Sequence, residues 1–174
     1  MYLNLVYADY FYCKQLNEST DMNQEYMDAA VALSRKYITE GEGGPFGSVI
    51  VRDNQIIGRG WNTVLHTADP TAHAEVNAIR DACARLGSYV LEGCTIYCSC
   101  EPCPMCLGAI YWARLSRVYF ACGRADAAAA GFDDAFIYAE LQRDIRQRSI
   151  PMTQLKSPEA LQVLHSWKAS GLQY

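Results

Sequence analysis

Two short motifs contain residue types that bind metal ions and transfer protons. One is His73-x-Glu75, and the other is Cys103-x-x-Cys106, which directly follows a proline. Imidazole nitrogen and thiolate sulfur are common zinc ligands, and a catalytic zinc site has three protein ligands and one open position for water. His73, Cys103 and Cys106 supply three such ligands, so the sequence predicts one catalytic zinc ion per subunit.

Glu75 is expected to have a different role from the three ligands. The pattern H-x-E followed by P-C-x-x-C is the signature of zinc-dependent deaminases, in which the glutamate acts as general acid and base without binding the metal. Glu75 would take a proton from the attacking water and pass it to the substrate, whose exocyclic amine then leaves as ammonia. Singly, each residue also fits an ordinary core or helix-start position. The joint spacing favours the metal site.

Cys100 allows a competing interpretation. Cys100-x-x-Cys103-x-x-Cys106 has the spacing of the first three ligands of a bacterial ferredoxin cluster, but no Cys-Pro follows at the distance of the fourth. Cys98 and Cys100 alternate along a predicted strand and would face the same side of a sheet. We therefore assign Cys100 to the core, and keep a structural zinc or iron-sulfur module as the non-enzymatic alternative.

Both motifs are predicted to lie at helix starts. Asp69-Pro70-Thr71 is typical of the start of a helix, here from about Ala72 to Leu86, and a second helix is predicted from about Cys103 to Ala113. Two cysteines one helical turn apart face the same way, and the partial positive charge of a helix start favours thiolates.

The rest of the chain alternates between strand and helix patterns, which predicts an α/β sandwich. Strands are predicted at Phe46–Val51, Gln55–Trp61, Thr95–Cys100 and Arg117–Cys122, with Asp53-Asn54 as the turn between the first two. Further helices are predicted from a cap at Thr20 or Asp21 to before Gly41, in an alanine-rich stretch that ends at Gly131, and at 133–146 and 158–170.

Composition limits the class of protein. With 174 residues, 51% of them hydrophobic, the chain suits a single domain spanning 1–174. Its net charge of -4 disfavours a nucleic-acid partner, because binding a phosphate backbone needs a basic surface. No apolar run is long enough to span a membrane, and the start of the chain lacks the features of an export signal. A reducing cytoplasm is therefore the expected compartment, and there the eight cysteines favour metal binding or core packing over disulfides.

At the level of longer motifs, the sequence resembles the cytidine deaminase superfamily and, within it, the bacterial guanine deaminases. The resemblance covers most of residues 22–174. It rests on Asn62 and on four segments: GPFG at 44–47, DPTAHAEV at 69–76, SCEPCPMCLGAIYWAR at 99–114 and AGFDD at 130–134. The zinc motif alone indicates the superfamily, whereas the GFDD segment and the terminal aromatic residue indicate the narrower group.

This resemblance implies a three-layer α/β/α sandwich with a central five-stranded mixed sheet, and hydrolysis of guanine to xanthine and ammonia. It also implies site residues at the matching positions. Zinc would be bound by His73, Cys103 and Cys106, and Glu75 would shuttle protons. The purine would be contacted by Phe46, Asn62, the Ala74 amide, Asp134, which could also assist proton transfer, and Tyr174.

Several alternatives stay open at this stage. Guanosine, ammeline, cytosine and cytidine are alternative substrates, and a tRNA adenosine deaminase would share the fold and the metal. The resemblance implies a homodimer, with exchange of the C-terminal segment between subunits as an option, and a segment at 150–174 that caps the active site. Residues 1–21, rich in tyrosine, are interpreted as an extension laid over the domain or used in an oligomer contact.

Overall fold

The computed structural model of the protein describes residues 23–172, which divide after Asp134 into two compact units. The first unit contains the strands β1 (Gly47–Arg52), β2 (Gln55–Trp61), β3 (Thr95–Cys100) and β4 (Arg117–Cys122). Its helices are α1 (Gln24–Thr39), α2 (Val64–Thr67), α3 (Ala74–Leu86), α4 (Pro104–Trp112) and α5 (Arg124–Ala129). The four strand predictions agree with these bounds to within one residue.

The strands form one mixed sheet in the order β2-β1-β3-β4. β1 is antiparallel to both β2 and β3, and β3 is parallel to β4. Asp53 and Asn54 both have positive φ, of 49° and 59°, as a tight two-residue hairpin turn requires. Because β1 runs against its neighbours, its beginning and the ends of β2 and β3 meet at one edge of the sheet. Residues that follow β2 and β3 are thereby gathered at this edge.

Alternate residues of the central strands pack against helices on opposite faces. Val49, Val51 and Tyr97 pack with Ala30 of α1 on one face. On the other face, Ile50, Ile96 and Cys98 pack with residues of α3 and α4 (Ala78, Ala82 and Ile110). β1 and β3 lie in the middle of the sheet and are buried on both faces, which explains their nearly continuous apolar sequences.

Two glycines of β2 allow α3 to pack unusually close to the sheet. A Cβ at Gly60 would collide with the carbonyl oxygen of Ala74, and a Cβ at Gly58 would lie 2.6 Å from the carbonyl oxygen of Ala78. Any larger residue at these positions would push the helix outward, because backbone atoms cannot yield as a flexible side chain can. The beginning of α3 is therefore held directly beside the end of β2.

The second unit contains α6 (Ala135–Gln142), a 3-10 turn (Ile145–Gln147) and α7 (Pro158–Ser170). The predicted helix 133–146 is shorter than expected, because Asp144 accepts a hydrogen bond from the Arg146 N–H and caps the 3-10 turn instead. α7 has its predicted bounds, with Ser157 as its N-cap. Two compact units can still make up one functional domain, so the single domain spanning 1–174 stays a prediction.

Three other expectations concern the number of strands, the start of α1 and membrane-spanning helices. The mixed α/β sheet is confirmed, but the described residues form four strands, so the expected five-stranded sheet is wrong for this part of the chain. After β4 no described segment is a strand, and the stretch between Pro151 and Pro158 has no regular structure. α1 begins at Gln24 with Asn23 as its cap, whereas Thr20 and Asp21 lie outside the described residues. Among residues 23–172, no helix is long and apolar enough to cross a membrane.

Candidate active site

The three predicted metal ligands come together at the edge of the sheet where β2 and β3 end. Their ligand atoms all lie within 4.8 Å of one another. His73 Nδ1 is 3.6 Å from Cys103 Sγ and 3.5 Å from Cys106 Sγ. With Zn–S and Zn–N bonds of about 2.3 and 2.0–2.1 Å in tetrahedral geometry, nitrogen and sulfur ligands are separated by about 3.6 Å. The observed spacing therefore fits a tetrahedral zinc ion.

Both ligand groups lie at helix starts, as predicted. His73 is the N-cap of α3 and Cys103 is the N-cap of α4, each with an extended backbone, and Cys106 follows in the first turn of α4. The first amides of a helix have no intrahelical acceptor and carry partial positive charge. Two such ends pointing at one place stabilise thiolate ligands before any metal binds.

The two cysteines and the histidine form a tightly coupled set. A hydrogen bond from the Cys106 thiol, together with one from the His73 ring, lowers the pKa of Cys103 to about 4 despite partial burial. The bond to Cys103 and burial raise the pKa of Cys106, and the bond to Cys103 raises the pKa of His73. These contacts favour the thiolate form of Cys103, and a bound divalent metal ion would displace the protons that remain on the set.

Glu75 lies against this set and away from solvent. Only 7% of the residue is exposed, and its Oε2 is 3.4 Å from Cys106 Sγ. Burial raises the pKa of its carboxyl, because removing a charge from water disfavours the ionised form. A carboxyl group with a raised pKa can both accept and release a proton near neutral pH.

Phe46 and Asn62, two of the predicted purine contacts, lie next to each other at this edge. The Asn62 N–H donates to the Phe46 carbonyl at 3.1 Å, and the Asn62 carbonyl accepts the Gly44 N–H at 3.2 Å. The Asn62 side chain is buried, and its Oδ1 accepts the Val64 N–H at 3.2 Å. This bond leaves the amide nitrogen of Asn62 available to donate to another group.

Asp134 follows Phe132 by two residues, and the Phe132 ring packs against this region. The Phe132 ring meets the Phe46 ring edge-on, with centroids 4.9 Å apart, although Phe132 was not itself predicted as a contact. Burial and then the charge of Cys103 raise the pKa of Asp134, so its carboxylate lies within electrostatic reach of the metal ligands.

Ala74 is buried at the first position of α3, where its amide has no intrahelical acceptor. Tyr174 and residues 1–21 lie outside the described residues.

A metal site of one histidine and two cysteines, with a buried glutamate beside it on an α/β sheet, defines the zinc-dependent deaminases. The chain belongs to this family: residues 20–122 match the cytidine and deoxycytidylate deaminase zinc-binding region. Guanine deaminase of Bacillus subtilis (strain 168) is 52% identical over 148 residues, which is 84% of this chain and 95% of the relative. The protein is therefore a hydrolytic zinc enzyme of the deaminase family.

Solved structures and a second relative show how far the similarity extends. The crystal structure of the Bacillus subtilis guanine deaminase superposes with a TM-score of 0.84 at 49% identity, covering 88% of this chain and 98% of that one. A tRNA-specific adenosine deaminase of Aquifex aeolicus (strain VF5) is 41% identical, but over only 57% of this chain and 66% of its own length. The likeness to the guanine enzyme thus extends well beyond the stretch shared with the tRNA enzyme.

Proposed function

We propose that this protein hydrolyses guanine to xanthine and ammonia. The observation that carries the proposal is the buried Glu75 carboxyl, 3.4 Å from a cysteine of the three-ligand metal site. A structural zinc site is closed by four ligands and needs no proton carrier, whereas a hydrolytic site needs both an open position and a nearby base. The similarity to guanine deaminase, which covers 84% of this chain, supports guanine as the substrate.

The mechanism follows from the positions of the side chains. His73, Cys103 and Cys106 would hold zinc, which supplies a water of lowered pKa and polarises the reacting centre. Glu75 accepts a proton from the attacking water and delivers it to the ring nitrogen beside the amino-bearing carbon. The same carboxyl carries the second proton of that water to the amine, which leaves as ammonia while the new carbonyl forms. Water and guanine are thereby converted to xanthine and ammonia without another reactant.

Recognition of the purine is assigned to groups around this centre. Asn62 offers the amide nitrogen that its bond to Val64 leaves available, and the Ala74 amide offers a backbone donor. Phe46, packed edge-on against Phe132, supplies an apolar wall for the ring. Asp134, whose raised pKa reflects burial and the Cys103 charge, binds the amino side and assists proton transfer. Closure of the pocket is assigned to Tyr174, which lies outside the described residues, on the family resemblance alone.

A substrate panel tests this assignment. Purified wild-type protein is expected to release ammonia from guanine with a higher kcat/KM than from guanosine, ammeline, cytosine, cytidine or adenine, and to leave tRNA adenosine unchanged. Ammonia release measures the small molecules, and inosine formation measures tRNA. Protein carrying Glu75→Gln, purified in parallel, controls for contaminating deaminases. Activity on tRNA but on none of the small molecules would contradict the proposal. The shorter match to a tRNA-specific adenosine deaminase makes this outcome unexpected.

We further propose that the enzyme is a cytoplasmic homodimer. Leu161, Leu164 and Trp167 recur every three residues along α7 and are 54%, 66% and 45% exposed. A row of large apolar side chains on a helix is stabilised by burial against another surface, for which a second copy of the chain is the candidate. A reducing compartment keeps Cys103 and Cys106 available as thiolate ligands.

Sedimentation velocity tests the dimer. Wild-type protein is expected to sediment at twice the mass of the chain at micromolar concentration, and Leu164→Glu is expected to shift it toward the monomer. Ser166→Glu, on the opposite face of the same helix, is the matched control. A wild-type protein that is monomeric at all concentrations would overturn the proposal, and a dimer unaffected by Leu164→Glu would exclude this helix.

A further inference from the structure

Asn77 connects the loop of the proposed substrate contact Asn62 with the turn of the metal ligand His73. Asn77 lies on α3 one helical turn after His73, whose carbonyl accepts its backbone N–H at 3.0 Å. The sequence analysis did not single it out. Its side chain is partly buried and points back toward the end of β2 and the segment that precedes the helix.

The side-chain amide of Asn77 donates to three oxygens of these two segments. Nδ2 lies 2.8 Å from the Trp61 carbonyl, 3.1 Å from the Thr63 hydroxyl and 3.3 Å from the Ala72 carbonyl. Trp61 and Thr63 are the residues on either side of Asn62, and Ala72 directly precedes His73. One side chain therefore binds both neighbours of Asn62 and the neighbour of a metal ligand.

Arg80 fixes the orientation of this amide. Arg80 Nη1 donates to Asn77 Oδ1 at 3.2 Å, so the oxygen of the amide faces the guanidinium and the nitrogen faces the three acceptors. The reverse orientation would set amide hydrogens against the guanidinium and an oxygen against three oxygens. Arg80 also donates to the Thr71 hydroxyl at 3.4 Å and pairs with Asp69 at 3.8 Å, so it is itself held to the turn before His73.

One backbone hydrogen bond also joins the two segments directly, beside the close packing of α3 against Gly60. The Thr63 N–H donates to the Ala72 carbonyl at 2.9 Å, and this is the same carbonyl that Asn77 contacts. The Asn62 Oδ1 accepts the Val64 N–H within its own turn. The close packing at Gly60, the Thr63–Ala72 bond and the Asn77 amide together set the position of Asn62 relative to the metal ligands, and the amide is the side-chain part of this connection.

We propose that Asn77 is a positioning residue for substrate recognition, which sets the distance between Asn62 and the zinc centre and is oriented for this role by Arg80. The inference rests on the proposed function in one respect, because it requires that Asn62 contacts the substrate ring. A shift of about 1 Å in a substrate-contacting group can lower activity a hundredfold, even when its cause lies away from the chemistry. Asn77 is not one of the three candidate metal ligands, and its side-chain amide donates to the protein oxygens named above.

A double-mutant cycle with Asn62 tests the role of Asn77. Asn77→Ala is expected to raise KM for guanine about tenfold to a hundredfold with a smaller change in kcat, at one zinc ion per chain. In the Asn62→Ala background, the same substitution should lower kcat/KM by less than about twofold, because the group that it positions is already gone. An equal loss in both backgrounds, or a loss of zinc, would overturn the proposal, because Asn77 would then stabilise the fold or the metal site.

Arg80→Ala keeps the test decisive even if Asn77→Ala folds poorly. Arg80 is 55% exposed at its side chain, so its truncation leaves the core intact. It should raise KM about twofold to fivefold, and this effect should also disappear in the Asn62→Ala background. Arg85→Ala, on the same helix and paired with Asp81, is the matched control and should change neither parameter.

The cycle also distinguishes failure of this proposal from failure of the proposed function. Each variant is assayed on the base that the wild-type enzyme deaminates fastest. A wild type that prefers another base contradicts guanine deamination but leaves the coupling between Asn77 and Asn62 measurable. Equal activity of wild type and Asn62→Ala would overturn the positioning role, because no substrate contact would then depend on Asn77.

Discussion

Replacement of Glu75 by glutamine is expected to lower kcat by a factor of about a hundred to ten thousand, the range that positioned acid–base groups contribute. Glutamine has nearly the same shape and can occupy the same buried position beside Cys106, where Oε2 now lies 3.4 Å from the sulfur. It cannot accept the proton of the attacking water or deliver one to the ring nitrogen. Both proton transfers of the proposed reaction therefore lose their carrier.

The Glu75→Gln result has meaning only if the metal and the fold survive. The variant should retain one zinc ion per chain, measured by metal analysis, and a melting temperature close to that of the wild type, because burying a neutral amide costs less than burying a carboxylate. Glu92→Gln, at a site where the side chain is 70% exposed, is the matched control and should leave kcat unchanged. Activity within about threefold of the wild type at full zinc content would show that Glu75 is not the proton carrier.

The metal ligands could be predicted from sequence because their geometry is local. Cys103 and Cys106 are one helical turn apart wherever a helix begins after Pro102, and His73 and Glu75 belong to a single helix start. The local patterns do not show how the two helix starts come together. They meet because β2 and β3 are both antiparallel to β1 and therefore end at the same edge of the sheet. Cys100, 8% exposed at the end of β3, is buried as predicted.

Two kinds of detail could not be predicted: the side-chain contacts that shape a single turn, and the contacts between distant segments. α3 was expected from Ala72 but begins at Ala74, because Asp69 accepts both the N–H and the hydroxyl of Thr71 and holds this turn out of helical conformation. The contact of Phe46 with Phe132 and the bonds of Asn77 join residues far apart in sequence or on different elements, and they leave no periodic pattern.

The expected fifth strand was wrong for a different reason. It was inferred from resemblance alone, whereas the sequence patterns themselves predicted only the four strands that the described residues form. The segments that carry the resemblance contain the three metal ligands and Glu75, so they predict that site directly and the number of strands only by analogy. The residue roles proposed around the site depend on the same similarity and await the variants described above.

Replacement of Cys103 by alanine is expected to remove zinc, abolish activity and lower the melting temperature by about 10 °C in zinc-containing buffer. Zinc at a thousandfold excess over its dissociation constant stabilises the folded state by about 4 kcal/mol, and each kcal/mol corresponds to about 2–4 °C in a protein of this size. The ion would join the start of α3, through His73, to the start of α4, through both cysteines. Without Cys103, His73 and Cys106 cannot close this connection.

Thermal unfolding with and without a chelator separates the contribution of the metal from that of the side chain. Chelation should lower the melting temperature of the wild type by about 10 °C and that of Cys103→Ala hardly at all, because the variant has no ion to lose. Cys122→Ser, at an exposed cysteine, is the matched control and should respond to the chelator as the wild type does. Visible absorption by the purified wild type would instead indicate an iron-sulfur cluster, since zinc is colourless. An equal response of wild type and Cys103→Ala to the chelator would exclude Cys103 as a ligand, and the connection between the two helices would then have to be made by the protein alone.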